Sequence, residues 1–123
     1  MIVLVNQTKQ VDLNTDEWQD IFTTSIDDPF IFLFAVFRSV SPGIGINDSP
    51  RLMTIREGEN GHVLATAIPN GLGASTGTRI MRPQDGAVAH MLTPGASLQF
   101  KIDAPLGVPA TGEIDYFGYM LVE

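Results

Sequence analysis

Turn-forming residues recur along this chain at short intervals, and the segments between them are mostly five to ten residues long. Glycine and asparagine permit positive φ angles and proline presets a turn, so each cluster ends one segment and begins the next. The sequence therefore predicts an all-β protein, an antiparallel β-sandwich of about eight to ten short strands. The clusters include Asp28-Pro29, Ser41-Pro-Gly43, Ser49-Pro50, Asn60-Gly61, Pro69-Asn-Gly71, Pro94-Gly95 and Thr111-Gly112.

One predicted strand, at residues 97–103, shows the alternation of a strand with one buried face. Leu98, Phe100 and Ile102 fall on one side and polar residues fall on the other, because successive side chains of a strand point to opposite faces. Further strands are predicted at residues 51–56, 61–68, 78–82, 88–92 and 112–122.

Residues 15–22 carry signals for two different structures. Asn14-Thr-Asp-Glu17 has the form of a helix capping box, and Trp18, Ile21 and Phe22 follow at helical spacing. The density of turns around the segment favours a strand instead. The sequence leaves a short helix and a strand open here.

Length and composition set the class of protein. The chain has 123 residues without a repeat, linker or low-complexity tract, which predicts one domain over residues 1–123. It has no cysteine, and this excludes a disulfide scaffold, a thiolate zinc site and a cysteine nucleophile. Acidic residues outnumber basic ones 14 to 7, for a net charge of −7. Such a surface repels phosphate backbones, so no nucleic-acid partner is expected.

Apolar runs are too short to place the chain in a membrane. The longest, residues 30–37, has eight residues, less than half of the ~20 that a membrane-spanning helix needs. Residues 1–5 are apolar but lack the length and the basic flank of a signal peptide. We expect a soluble protein with no membrane partner.

Candidate catalytic and metal-binding residues are few. His62 and His90 lie 28 residues apart in separate predicted strands, which is not the close pair that a jelly-roll metal site takes from one strand. No Gly-x-Ser-x-Gly motif marks a nucleophilic serine. Most carboxylates lie in or beside predicted turns, and Asp115 is the exception; a small glycosidase is the enzyme class they would allow. We expect no catalytic residue, no metal and no cofactor.

Residues 30–37 are apolar on both predicted faces. Even-numbered residues would form one face and odd-numbered residues the other, and each face carries phenylalanine and aliphatic side chains. An antiparallel sandwich strand normally has one face in water, so something should cover the second face. The candidates are the chain's own residues 1–13 and a neighbouring subunit, which leads us to expect an oligomer.

The N-terminal strand and the longest loop are the predicted contact regions. Residues 1–5 are strand-like and can add to a sheet edge of another chain through main-chain hydrogen bonds. In the loop at residues 39–50, two isoleucines alternate with two glycines that allow close approach of a partner, and an arginine follows. The alternative is that residues 1–5 cover the chain's own sheet and both isoleucines pack inward. The predicted interface residues are Ile2, Val3, Leu4, Val5, Ile44, Ile46 and Arg51.

The order of these segments resembles a known class of proteins. The chain runs from a strand through Asp16-Glu-Trp-Gln-Asp-Ile21, the apolar residues 30–37, Gly/Pro/Asn loops and Thr93-Pro-Gly-Ala-Ser-Leu-Gln-Phe100 to Gly112-Glu-Ile-Asp-Tyr-Phe-Gly-Tyr-Met-Leu-Val122. This pattern is similar to that of the small jelly-roll head decoration, or cement, proteins of tailed bacteriophages. The resemblance covers most of the chain as a pattern and contains no diagnostic motif.

The resemblance implies a jelly-roll sandwich that forms a homotrimer on the outer capsid surface of the virion. There it would bind the major capsid protein and stabilise the head against internal DNA pressure. Before assembly, such a protein would be soluble in the host cytoplasm. These proteins share a fold and a manner of attachment, so the resemblance assigns no functional residue.

Two other non-enzymatic functions fit the same sequence. A tail or fibre-associated virion subunit would share every feature described above. A carbohydrate-binding β-sandwich module would need two or three exposed aromatic side chains on one platform. Trp18, Tyr116 and Tyr119 are the aromatic residues with polar edges.

Overall fold

The computed structural model describes residues 1–39, 52–58, 62–67, 78–83, 89–103 and 111–122. Within those ranges the chain forms nine β-strands and no helix. The prediction of an all-β fold is therefore confirmed. The strands are β1 (Ile2–Asp12), β2 (Gln19–Thr23), β3 (Phe30–Ser39), β4 (Met53–Glu57), β5 (His62–Ala67), β6 (Thr78–Pro83), β7 (His90–Met91), β8 (Ser97–Ile102) and β9 (Thr111–Leu121).

The strands form one antiparallel sheet folded into two layers, in the order β1-β9-β3-β6-β5-β4-β8-β2. The first layer holds β1, β9, β3 and β6, and the second layer holds β5, β4, β8 and β2. β6 closes one side of the sandwich, because its first residues pair with β3 and its last residues pair with β5. The short β7 pairs with the beginning of β3. With β7 set aside, this is the strand order of a jelly roll.

The core lies between the two layers and takes alternate residues from each strand. In β8, Leu98, Phe100 and Ile102 are fully buried and the residues between them are half-buried, as the sequence predicted. β9 alternates in the same way, with Ile114 and Tyr116 facing the core. The largest fully buried side chains are Phe30, Phe32, Phe37, Phe100, Leu13, Met53, Ile55, Met81, Leu92, Leu98, Ile102 and Ile114.

A bulge between Phe32 and Phe34 changes which side chains of β3 face the core. The predicted alternation placed every even-numbered residue of 30–36 on one face. In the structure, Ala35 and Phe37 are buried beyond the bulge, and Phe34 is turned to the outside of the first layer. The face assignment from the sequence is therefore wrong after Phe32, because a bulge adds one residue and reverses the alternation.

A close backbone approach accompanies this bulge. Gly118 of β9 lies opposite Phe32, and a Cβ atom at Gly118 would stand 2.2 Å from the carbonyl oxygen of Ile31 and 2.5 Å from the ring of Phe30. A glycine inside a strand often marks such a bulge or close approach. The absence of a side chain at Gly118 thus allows β3 and β9 to pack together here.

Residues 13–18 form an irregular corner between β1 and β2, and the helix left open by the sequence is not present. The hydroxyl of Thr15 accepts a hydrogen bond from the amide of Glu17 at 3.2 Å, and the carboxylate of Asp12 accepts one from the amide of Asn14 at 2.8 Å. Both bonds span two residues, the spacing of turns that compete with a helix start. The capping-box pattern therefore forms local turns.

We predict that Gly118→Ala strongly destabilises the protein. The added methyl group would overlap the backbone of β3, and overpacking of this kind typically costs about 1–3 kcal/mol or more. The urea midpoint should fall accordingly. As a control, Gly95→Ala meets no atom within 4 Å and carries only the backbone strain of its φ of 81°, so it should cost less. An equal or smaller loss at Gly118 would contradict the packing described here.

Candidate interaction surface

β1 forms one edge of the first layer and pairs with β9 along its whole length. Met1 and Val122 exchange two backbone hydrogen bonds, of 2.6 and 2.8 Å. Because hydrogen-bonding direction alternates along an antiparallel strand, the odd-numbered residues of β1 bond to β9. The N–H and C=O groups of Ile2, Leu4, Asn6 and Thr8 therefore point away from β9.

At its far end, this edge is closed by a side chain. The Gln19 carboxamide accepts a hydrogen bond from the amide of Asp12 and donates one to the Asp12 carbonyl, both at 2.8 Å. Gln19 thus occupies the position that a further strand would take. A shallow depression of about 480 Å³ adjoins this corner and is lined by Lys9, Gln10, Val11, Asp12, Gln19 and Thr111.

Among the described residues, no strand pairs with the outer side of β1 between Ile2 and Thr8, and we call this part of the strand the open edge. It contains no charged residue, no proline and no glycine, and the first charge is Lys9. Natural edge strands are usually protected by lysine, proline, a bulge or a covering segment. No bulge interrupts the pairing of β1 with β9, so the open edge remains a template for pairing with another strand.

Beside the open edge lies an apolar surface on the outside of the first layer, the outer apolar face. Cross-strand partners share a face of a sheet, and the pairs Ile2–Leu121 and Leu4–Tyr119 continue this face from β1 into β9. Ile2 and Leu4 are 67% and 74% exposed, and Met91 is 56% exposed. The face consists of Ile2, Leu4, Ile31, Phe34, Met91, Phe117, Tyr119 and Leu121.

The outer apolar face ends at a charged cluster. Phe34 and Phe117 stack with ring centroids 4.5 Å apart near its middle. Farther along, Arg38 donates to Asp115 at 2.9 Å and lies 3.5 Å from Glu113. Contiguous apolar surface with a polar rim is typical of a protein contact site.

The predicted interface residues differ in their exposure in the structure. Ile2, Val3 and Leu4 are exposed, whereas Val5 is 9% exposed and its side chain packs into the core. Val5 pairs with Gly118, which faces inward. Ile44, Ile46 and Arg51 lie outside the described residues.

The N-terminal residues 1–13 do not take up one of the positions that the sequence allowed. Residues 1–13 were one candidate for covering the second face of the apolar strand. β1 instead extends the first layer beside β9, and it adds Ile2 and Leu4 to the outer apolar face. Among the described residues, β1 therefore does not cover the outer apolar face.

A buried carboxylate was missed by the sequence interpretation. Glu57, one of the carboxylates beside a predicted turn, is 3% exposed. Its Oε2 accepts a hydrogen bond from the amide of Thr93, and its Oε1 lies 3.5 Å from Nε2 of the half-buried His90. Glu57 thus ties the end of β4 to the segment between β7 and β8. Among the described residues, no three His, Asp or Glu side chains are grouped to hold a metal.

The aromatic residues with polar edges do not form one platform in the described structure. Tyr116 is buried, donates to Gln7 at 2.9 Å, and has its pKa raised by that burial. Trp18 lies on the second layer, with the Arg56 guanidinium 4.0 Å from its ring centroid. Tyr119 lies on the first layer. No common sugar-binding surface follows from these positions.

We predict alternating amide exchange along β1 at low protein concentration. The amides of Leu4, Asn6 and Thr8 should exchange with solvent quickly, and those of Val3, Val5 and Gln7 should be protected by β9. Gln19→Ala should speed exchange of the Asp12 amide and cost about 1 kcal/mol, whereas Gln10→Ala serves as the control. NMR hydrogen exchange measures both, and uniform protection along β1 would contradict this hydrogen-bond pattern.

The described chain contains no helix long and apolar enough to cross a membrane. No protein-family model and no curated protein matches the sequence.

Two solved structures contain chains that are similar to this one in fold. The first is the acidic stable capsid structure of Helicobacter pylori bacteriophage KHP30, with a TM-score of 0.60, 9% identity, and coverage of 100% of this chain and 99% of that chain. The second is the structure of Bacillus endospore appendages, which form disulfide-linked pili, with a TM-score of 0.44, 11% identity, and coverage of 99% and 89%. The sandwich fold of this protein is thus also found in a bacteriophage capsid structure.

Proposed function

We propose that this protein is a structural subunit of a bacteriophage virion, a decoration protein that binds the outer surface of the head and stabilises it. Its partners in this role are the major capsid protein and further copies of itself. The observation that carries the proposal is the outer apolar face, left open on a jelly roll whose fold also occurs in a phage capsid structure.

The outer apolar face is suited to adhesion. Fully burying an aliphatic or aromatic side chain is worth about 1.5–3 kcal/mol relative to its exposure. Ile2 and Leu4 are mostly exposed in the single chain and would gain most from a covering partner. A shell of major capsid subunits offers a broad surface on which this face can be seated.

Charge supports a position on the outside of a head. The chain carries a net charge of −7, which disfavours contact with packaged DNA by electrostatic repulsion. The function we propose is non-catalytic and uses no cofactor. The described residues contribute to it by their shape, their apolar area and their main-chain hydrogen bonds.

The proposal includes a homotrimer, the state implied by the resemblance to head decoration proteins. We predict that light scattering at low protein concentration gives a mass of three 13.3 kDa chains, because closed symmetric assemblies are the usual way to bury a repeated apolar surface. The mass of a single chain at all concentrations would contradict an oligomer. A dimer mass would contradict the trimer alone.

Quantitative mass spectrometry of purified phage particles from the source of the sequence tests the location. A head decoration protein should be present in a fixed and high ratio to the major capsid protein. A few copies per particle would instead indicate a tail or fibre subunit. Absence from the particles would overturn the virion proposal.

We predict that the double substitution Ile2→Ser and Leu4→Ser abolishes most attachment to heads that lack the protein. Both side chains are exposed on the outer apolar face, so the fold should survive by circular dichroism while the apolar contact is lost. The matched control is Leu52→Ser, which removes a 41% exposed leucine at the residue just before β4. Cosedimentation with heads gives the bound fraction. Unchanged binding by the double variant would exclude this face as the contact.

A further inference from the structure

We infer that the open edge of β1 pairs with the β1 edge of a second copy, antiparallel and about a two-fold axis. This contact goes beyond the proposed function because it joins two copies and uses main-chain groups. It would extend the first layer of one copy directly into the first layer of the other.

The main-chain geometry limits what can occupy the edge. Ile2, Leu4, Asn6 and Thr8 each present an N–H and a C=O outward, as shown by the pairing of Met1 with Val122 and the closure of Asp12 by Gln19. Alternating donors and acceptors at strand spacing are matched by another extended strand. A helix or a small ligand satisfies few of them.

Charge and length favour β1 of a second copy as that strand. Residues 2–8 are uncharged, although the whole chain carries −7, so no like charges lie opposite each other within the paired segment of two such edges. The other open end of the strand order, β2, has five residues and carries Asp20. A second β1 therefore offers a longer edge than the other end of the described sheet, and the part of it that pairs is uncharged.

The two-fold axis has a preferred position. An axis at Val5 gives the longest overlap of residues 2–8 and places Leu4 opposite Asn6 of the second copy. Each even-numbered pair then exchanges two hydrogen bonds, or about eight in total, by the rule for hydrogen-bonded antiparallel pairs. Axes at Leu4 or Asn6 keep the same alternation with a shorter overlap. Lys9 lies just beyond the paired segment in the Val5 arrangement.

Edge pairing leaves the outer apolar face uncovered. An axis perpendicular to the sheet keeps the same face of both copies on the same side, so the two outer apolar faces join into one wider surface. Attachment to a shell and pairing between copies therefore do not compete. A two-fold contact of this kind can also link assemblies that are built through other surfaces.

Cysteine cross-linking tests the contact directly, because the chain has no native cysteine. Leu4 and Asn6 are both exposed, and opposed hydrogen-bonded residues have Cα atoms about 5.5 Å apart, within the range for disulfides. With the axis at Val5, an equal mixture of Leu4→Cys and Asn6→Cys proteins should form a disulfide dimer under mild oxidation, at least about tenfold above the control.

The single variants report the axis. Leu4→Cys cross-links alone if the axis passes through Leu4, and Asn6→Cys does so if it passes through Asn6; each result supports edge pairing. The control is Ile26→Cys, which places a thiol at a 75% exposed position outside β1. Cross-linking of all three samples at the control rate would overturn the inference.

A proline substitution provides a second test with its own control. Asn6→Pro removes an N–H that points away from β9 and none of the bonds to β9, so it should halve the mass of the edge-paired assembly in light scattering with little effect on the fold. Gln7→Pro removes an N–H that bonds to β9 and should destabilise the fold instead. Unchanged association of a folded Asn6→Pro variant would contradict edge pairing. A variant that no longer associates with other copies but still attaches to heads would show that edge pairing is distinct from the proposed attachment.

Discussion

The arrangement of apolar side chains in this protein depends on the bulge in β3 opposite Gly118. Without it, Phe34 would point into the core and Phe37 would point out, since a strand alternates strictly. The bulge reverses the alternation, and the close approach of β3 to β9 is sterically allowed because Gly118 has no side chain. One irregularity therefore supplies the core with Phe37 and the outer apolar face with Phe34.

The same strand, β1, contributes to both contact surfaces by different groups. The side chains of Ile2 and Leu4 extend the outer apolar face, and their main-chain groups form the open edge. These directions are nearly perpendicular in a sheet, so a partner on the face leaves the edge accessible. Gln19 limits the edge at Asp12, which confines pairing to the uncharged part of the strand.

Local sequence signals predicted the strands and turns but not the features that depend on neighbours. Ser97–Ile102 was predicted with the correct faces because its alternation is determined within the strand. The bulge in β3 was missed because it is defined by the pairing with β9, where Gly118 lies 84 positions after Phe34 in the chain. The burial of the Val5 and Glu57 side chains was missed for the same reason, because their neighbours β9 and Thr93 are distant in the sequence.

The acidic composition and the neutral contact surfaces act at different distances. A net charge of −7 produces repulsion that extends over roughly one Debye length, about 8 Å at physiological salt, and it keeps separate copies dispersed. Apolar burial and main-chain hydrogen bonds act only at contact, where residues 2–8 and most of the outer apolar face carry no charge. Two copies then associate only when an edge or a face is aligned, because in other orientations no apolar burial or hydrogen bonding offsets the electrostatic repulsion. This separation of distances is compatible with the decoration role proposed above, in which copies must stay dispersed before they attach.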